Sequence, residues 1–112
     1  MALGLGQNSK TLNYKILNME TNEEIQERLF EEFSLIFAED SNKKWNGDNA
    51  YQGLQILSKY TDYLIQGAEH DIIYSEDLGK LIEMGLTKED CIKLRDLNWM
   101  IDEECDCLAC FV

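Results

Sequence analysis

Trp99-Met100-Ile101-Asp102-Glu103-Glu104-Cys105-Asp106-Cys107-Leu108-Ala109-Cys110-Phe111-Val112 is the stretch that settles the fold class. Two apolar runs, each too short for a stable helix, flank a cluster of carboxylates, which reads as two strands joined by a tight acidic turn. A third run, Asp71-Ile72-Ile73-Tyr74, is equally short and β-branched and reads as another strand. Strands so few and short need helices packed on them to be stable in water. The remaining sequence supplies these. The expected architecture is α+β, with about four helices on a small, about three-stranded antiparallel or mixed sheet.

Working back from that block, the helix signals are local. Thr21 followed three residues later by Glu24 is a capping box, and Ile25, Leu29, Phe33 and Ile36, with Phe30 and Phe37 beside them, form an apolar stripe. This first helix is expected to end near Glu39-Asp40. Ser41 to Gly47 reads as a loop, with Trp45 either pinned to the core or presented to a partner. Asp48 or Asn49 begins a second helix whose apolar face is Tyr51, Leu54, Leu57 (or Ile56), Tyr60 and Leu64, with Gly67 as its C-terminal glycine. Ser75 is expected to cap a third helix running to Met84 and stopped by Gly85. Thr87 caps a fourth, with Leu86 and Cys91 as its hydrophobic staple. Residues 1–10 read as a flexible leader and 11–19 as a short strand or irregular arm. The whole, 1–112, reads as one domain.

Charge is the least ordinary feature. Asp and Glu number 22 against 10 Lys and Arg, a net charge of -12. With 45% apolar residues the chain can still build a core, so disorder is not expected. Such a balance opposes direct binding to nucleic acid or to an anionic membrane, both of which need cations to neutralise phosphate. A basic protein partner is the natural complement. No run approaches the roughly 18 apolar residues of a membrane span. Four cysteines without a secretion signal read as reduced thiols, and the expected compartment is the cytoplasm.

The carboxylates are not evenly spread. Glu20, Glu23, Glu24, Glu27, Glu31, Glu32, Glu39 and Asp40 fall in or beside the first helix, where Arg28 is the single base. Like charges one turn apart cost a helix a few tenths of a kcal/mol each. A functional reading of that cost is mimicry. Carboxylates four residues apart rise about 6 Å along a helix, a spacing of the same order as the roughly 3.4 Å between charges along one DNA strand. Glu23, Glu24, Glu27 and Glu31 are the candidate partner-binding residues, with Asp102, Glu103 and Glu104 as a second patch and Trp45 as an aromatic anchor. The plain alternative is that these are solvated faces of an acidic protein.

Cys105, Cys107 and Cys110 follow a C-x-C-x-x-C spacing and, with His70, contain the donor types of a tetrahedral zinc site. Strand geometry opposes this, because Cys105 and Cys107 would point to one face and Cys110 to the other. Small buried side chains are the expected role, and no cofactor is expected. His70-Asp71, just before a strand, reads as a helix-to-strand hinge. With one histidine and no nucleophile elbow or phosphate-cradling loop, no catalytic constellation is visible, so the protein is not expected to be an enzyme.

The C-terminal part carries a resemblance. His70-Asp71-Ile72-Ile73-Tyr74, then a helical segment, then Trp99-Met100-Ile101-Asp102-Glu103-Glu104 with Asp106 and the terminal Phe111-Val112, resembles small acidic proteins encoded by phages and prophages. The match covers less than half the chain. It implies a setting in which small acidic proteins block host defence enzymes, anti-CRISPR and anti-restriction proteins among them. The expectation is therefore an acidic inhibitor of a nucleic-acid-handling host enzyme, such as a CRISPR-Cas protein. The alternatives are a protein-interaction or dimeric adaptor module with an apolar patch near Trp45, and a small zinc protein. The oligomeric state, monomer or homodimer, is open.

Overall fold

The computed structural model describes residues 21–39 and 47–112. The expected leader, the 11–19 arm and the loop carrying Trp45 lie outside them. The described residues form four helices, α1 (Asn22–Ala38), α2 (Asn49–Leu57), α3 (Leu78–Glu83) and α4 (Lys88–Asp96). They also form four strands, β1 (Gly67–Glu69), β2 (Ile72–Asp77), β3 (Met100–Asp102) and β4 (Cys107–Phe111). The sheet is antiparallel throughout in the order β1-β2-β4-β3. The α+β class expected from sequence is the one observed, with one strand more than the three expected.

Helix α1 begins where the capping box places it. Thr21 Oγ1 accepts the Glu24 N–H at 3.1 Å and Glu24 Oε1 accepts the Thr21 N–H at 2.8 Å. Its buried stripe is Phe33, Ile36 and Phe37, and Glu39 ends it in extended backbone. Thr87 caps α4 through the Asp90 N–H at 3.1 Å, and Leu86 and Cys91 are both buried. Gly85, at φ 101°, stops the chain after α3 in a conformation that other residues avoid.

The sheet side shown to the helices follows from register. Ile73 pairs with Cys110 and Ile101 with Leu108, and these four residues meet the helices in one core with Leu57, Leu78, Leu81, Leu94 and Trp99. The β3–β4 connection is the acidic turn. Asp102 Oδ1 accepts the Glu104 N–H at 2.9 Å, the Asp106 N–H returns to the Asp102 carbonyl at 2.8 Å, and Asp106 takes φ 55°. Asparagine and aspartate tolerate that left-handed region better than most residues.

Four expectations need correction. Helix α2 stops at Leu57 and does not reach Gly67, which is in β1. The reason is tertiary. Tyr60 is drawn off the helix to hydrogen-bond Asp90, and Thr61, buried, donates to Glu76 at 3.3 Å while accepting the Tyr63 N–H at 3.1 Å. Tyr51 is exposed, because the face turned inward is that of Asn49, Gly53 and Leu57. Ser75 does not cap α3: β2 runs through it to Asp77, whose Oδ1 accepts the Lys80 N–H at 3.1 Å. Finally, His70 belongs to a hairpin and not to a helix-to-strand hinge. Glu69 pairs with Ile72, leaving His70 (φ 48°) and Asp71 as the two loop residues.

Candidate functional site: an acidic flank of α1

Glu23, Glu27 and Glu31 are all exposed. At about 100° per residue, positions four apart drift only about 40° around a helix, so the three lie along one flank of α1. Ser34 and Ala38 continue it. Three successive hollows border this flank. The first is lined by Asn22, Glu23, Gln26, Glu27 and, from α3, Glu83. The second is lined by Glu27, Phe30 and Glu31. The third joins Ser34, Phe37 and Ala38 to Met100, Ile101, Glu103 and Asp106. The acidic turn between β3 and β4 is therefore set at the far end of the same flank that carries the helix glutamates.

The result is a ridge of Glu83, Glu23, Glu27, Glu31, Glu103 and Asp106. Its length, taken as the rise from Glu23 to Ala38, is about 22 Å. Six carboxylates over that length approach the one charge per roughly 3.4 Å of a single DNA strand. α1 lies there because its opposite, apolar side packs on α3, α4 and β3.

Not every candidate residue joins the ridge. Glu24 is tied into the capping box, where its Oε1 accepts the Thr21 N–H. Asp102 is half-buried, and its Oδ1 holds the turn. Glu104 is exposed on the turn but does not line the hollow beside α1. Glu39 is ion-paired with Arg95, which also bonds Asp96 at 3.1 Å. Trp45 lies outside the described residues. Sequence reasoning missed Glu83, whose approach to Glu23 and Glu27 depends on α3 docking against α1.

The structure does not bring the four candidate zinc ligands together. Cys105 and Cys107 are joined as a disulfide, Cys110 is fully buried on the core side of β4, and His70 sits beyond the opposite end of the sheet, next to the Ile72–Phe111 pair. Among the described residues no group of metal-ligating side chains converges. The disulfide also corrects the expectation of four reduced thiols. Cys91 and Cys110 are buried, as small core residues should be, but Cys105 is exposed.

A second polar cluster lies between α2 and α4. Asp90, 3% exposed, accepts hydrogen bonds from the Tyr60 hydroxyl and from Lys59 Nζ at 2.7 Å, with Lys93 Nζ at 4.0 Å. Burial by itself would raise the Asp90 carboxyl, but the bonds from Lys59 and Tyr60 and the two lysine charges outweigh it and hold the group below the usual carboxylate range. Burial and the bond to Asp90 raise Tyr60, so its phenol stays protonated. Lys59 is raised by its own bond to Asp90. An open groove of about 900 Å³ adjoins the cluster, lined in part by Gln52, Gln55, Lys59, Lys93 and Leu97. In this cluster the tyrosine is held neutral and the carboxylate is occupied by the Tyr60 hydroxyl and two lysines.

No protein-family model, curated protein or solved structure matches the chain. Among the described residues no helix is long and apolar enough to cross a membrane. An acidic flank built from one helix, the end of a second and a β-turn is the feature of this molecule with the most to say about function.

Proposed function

We propose that this protein is a non-catalytic, phage-type inhibitor of a host nucleic-acid-handling defence enzyme, of the CRISPR-Cas or restriction class, acting in the host cytoplasm. The observation that carries the reading is the alignment of Glu83, Glu23, Glu27, Glu31, Glu103 and Asp106 along one side of α1. Laid in a basic groove, that ridge meets cations arranged for a phosphate backbone and excludes the substrate. Long-range attraction then makes association fast and strongly salt-dependent. The protein itself binds no nucleic acid in this reading, because its net charge of -12 repels phosphate. The resemblance of its C-terminal part to small acidic phage proteins points to the same setting.

The experiment is competition. A panel of purified CRISPR effector complexes and restriction endonucleases is assayed for DNA binding with and without the protein, at rising NaCl. Inhibition of at least one member, weakening by about tenfold or more between 50 and 500 mM salt, supports the reading. The triple variant Glu23→Lys/Glu27→Lys/Glu31→Lys should lose it. Undiminished inhibition by that variant moves the site elsewhere, and failure to inhibit any member ends the proposal.

A second reading, an interaction or dimeric adaptor module, draws on Leu35, Tyr51, Tyr63 and Ile65, each more than half exposed. Scattered apolar residues are normal on a surface, so the observation is the weaker one. An apolar interface of this kind would survive 0.5 M NaCl.

A further inference from the structure

We propose that the Cys105–Cys107 pair is a thiol–disulfide exchange site for low-molecular-weight thiols, and that its redox state sets the β3–β4 turn and the first turn of α3. The proposal stands independently of the inhibitor reading.

The pair is joined across the single residue Asp106, with a Cα–Cα distance of 5.1 Å. Cys105 is exposed and Cys107 half-buried. The other two cysteines cannot take part. Burial pushes the Cys91 thiol up to about 12, with some help from the Asp90 charge, and the Cys110 thiol up to about 11, so both remain protonated and shielded. Exchange is confined to the turn.

That turn is mechanically connected. Asp106, enclosed by the bond, takes φ 55°, donates its N–H to the Asp102 carbonyl at 2.8 Å and offers its own carbonyl to the N–H of Leu78, the first residue of α3, at 2.9 Å. Cys107 pairs with Asp77, the residue that caps α3. Opening the disulfide removes the covalent link that encloses Asp106, and the Leu78 hydrogen bond loses that support.

In the reducing direction a thiolate attacks Cys105 Sγ, the more exposed sulfur. The S–S bond breaks, its electron pair leaves on Cys107 Sγ, and that thiolate takes a proton from solvent. A second thiolate attacks the reagent's sulfur in the mixed disulfide and releases Cys105, so two thiols become one small disulfide and two electrons pass to the protein. A small disulfide of the glutathione type runs the sequence in reverse. The surroundings select the reagent. Asp102 Oδ1 lies 3.9 Å from Cys105 Sγ, and Glu103, Glu104 and Asp106 are exposed around it. An anionic thiolate is repelled and a cationic one is drawn in.

The test uses the full chain. Protein oxidised with glutathione disulfide should take up no iodoacetamide under native conditions. After reduction it should take up two adducts, mapping to Cys105 and Cys107. Reduction rates with cysteamine and with mercaptopropionate are compared per thiolate, each against the same reagent acting on a small neutral disulfide. Cysteamine should lead by about tenfold at low salt, a gap that closes in 0.5 M NaCl. Amide exchange at Leu78 and Asp106 should quicken by about tenfold on reduction, and the Cys105→Ser/Cys107→Ser variant should exchange at the faster rate with or without thiol. A dithiol that fails to close, protection at Leu78 unmoved by reduction, or rates indifferent to reagent charge overturns the proposal.

Discussion

The indole of Trp99 occupies the space that a side chain at position 53 would need: a Cβ on Gly53 would lie 1.9 Å from Nε1. Trp99 is 2% exposed, its Nε1–H donates to the Asn49 carbonyl at 2.9 Å, and Asn49 Nδ2 in turn donates to the Leu97 carbonyl at 2.7 Å. These contacts hold α2 against the end of α4 and the start of β3. A glycine inside a helix ordinarily costs about 1 kcal/mol relative to alanine; here it is a packing requirement.

Gly53→Ala should therefore destabilise the protein by about 1–3 kcal/mol in urea unfolding, in spite of the gain in helix propensity, because the buried ring has no room to move. Gly67→Ala is the comparison. Its Cβ would meet the Tyr74 ring at an ordinary 3.6 Å, and a change within about 0.5 kcal/mol is expected. Equal effects at the two sites would contradict the close approach of Trp99.

The Asp90 cluster predicts a stability profile with two edges. The Asp90 carboxyl is depressed in the folded state, so its contribution is complete above the unfolded value near pH 4 and is lost as pH falls through the folded one. Tyr60 and Lys59 are raised, so their contribution is complete below about pH 10 and is lost as pH climbs through the folded values. Asp90→Asn should cost about 1–2 kcal/mol at pH 7, discounted because Lys59 is half exposed. The gap between variant and wild type should narrow below pH 4. A gap constant from pH 7 to pH 3 would show that the Asp90 charge contributes nothing.

On the ridge, stability and binding should move in opposite directions. Glu27 faces Glu23 and Glu31 one turn away on either side, and Glu27→Lys converts two repulsive pairs into attractive ones. A gain of roughly 0.5 kcal/mol is expected from thermal or urea unfolding. Under the proposed function the same variant inhibits less. A loss of both would mean only that α1 had been damaged.

Asp77→Ala should cost about 1 kcal/mol by removing the cap of α3. Ser75→Ala should be neutral or stabilising by up to about 1 kcal/mol, since the Ser75 hydroxyl is buried without a hydrogen-bond partner among the described residues. Denaturation midpoints of the two variants separate the roles directly, and the reverse order would restore Ser75 as the cap.

Sequence alone determined what depends on neighbours a few residues apart. The capping box at Thr21 and Glu24, the Thr87 cap, the stop at Gly85 and the acidic turn after Ile101 all rest on contacts spanning at most four residues, and each stands where the pattern placed it. The exposed line of Glu23, Glu27 and Glu31 was legible for the same reason. Tertiary structure decided the rest. Long-range hydrogen bonds from Tyr60 and Thr61 ended α2 early and released the chain that became β1. Pairing with β4 carried β2 through Ser75 to Asp77. The bond between Cys105 and Cys107 depended on how the turn closed. Whether the acidic residues gathered depended on α1 docking beside α3 and β3, which brought Glu83, Glu103 and Asp106 to one flank and left Glu24 and Asp102 occupied with the backbone. Periodicity shows which way a side chain leaves its own helix; only packing shows which other elements it meets there.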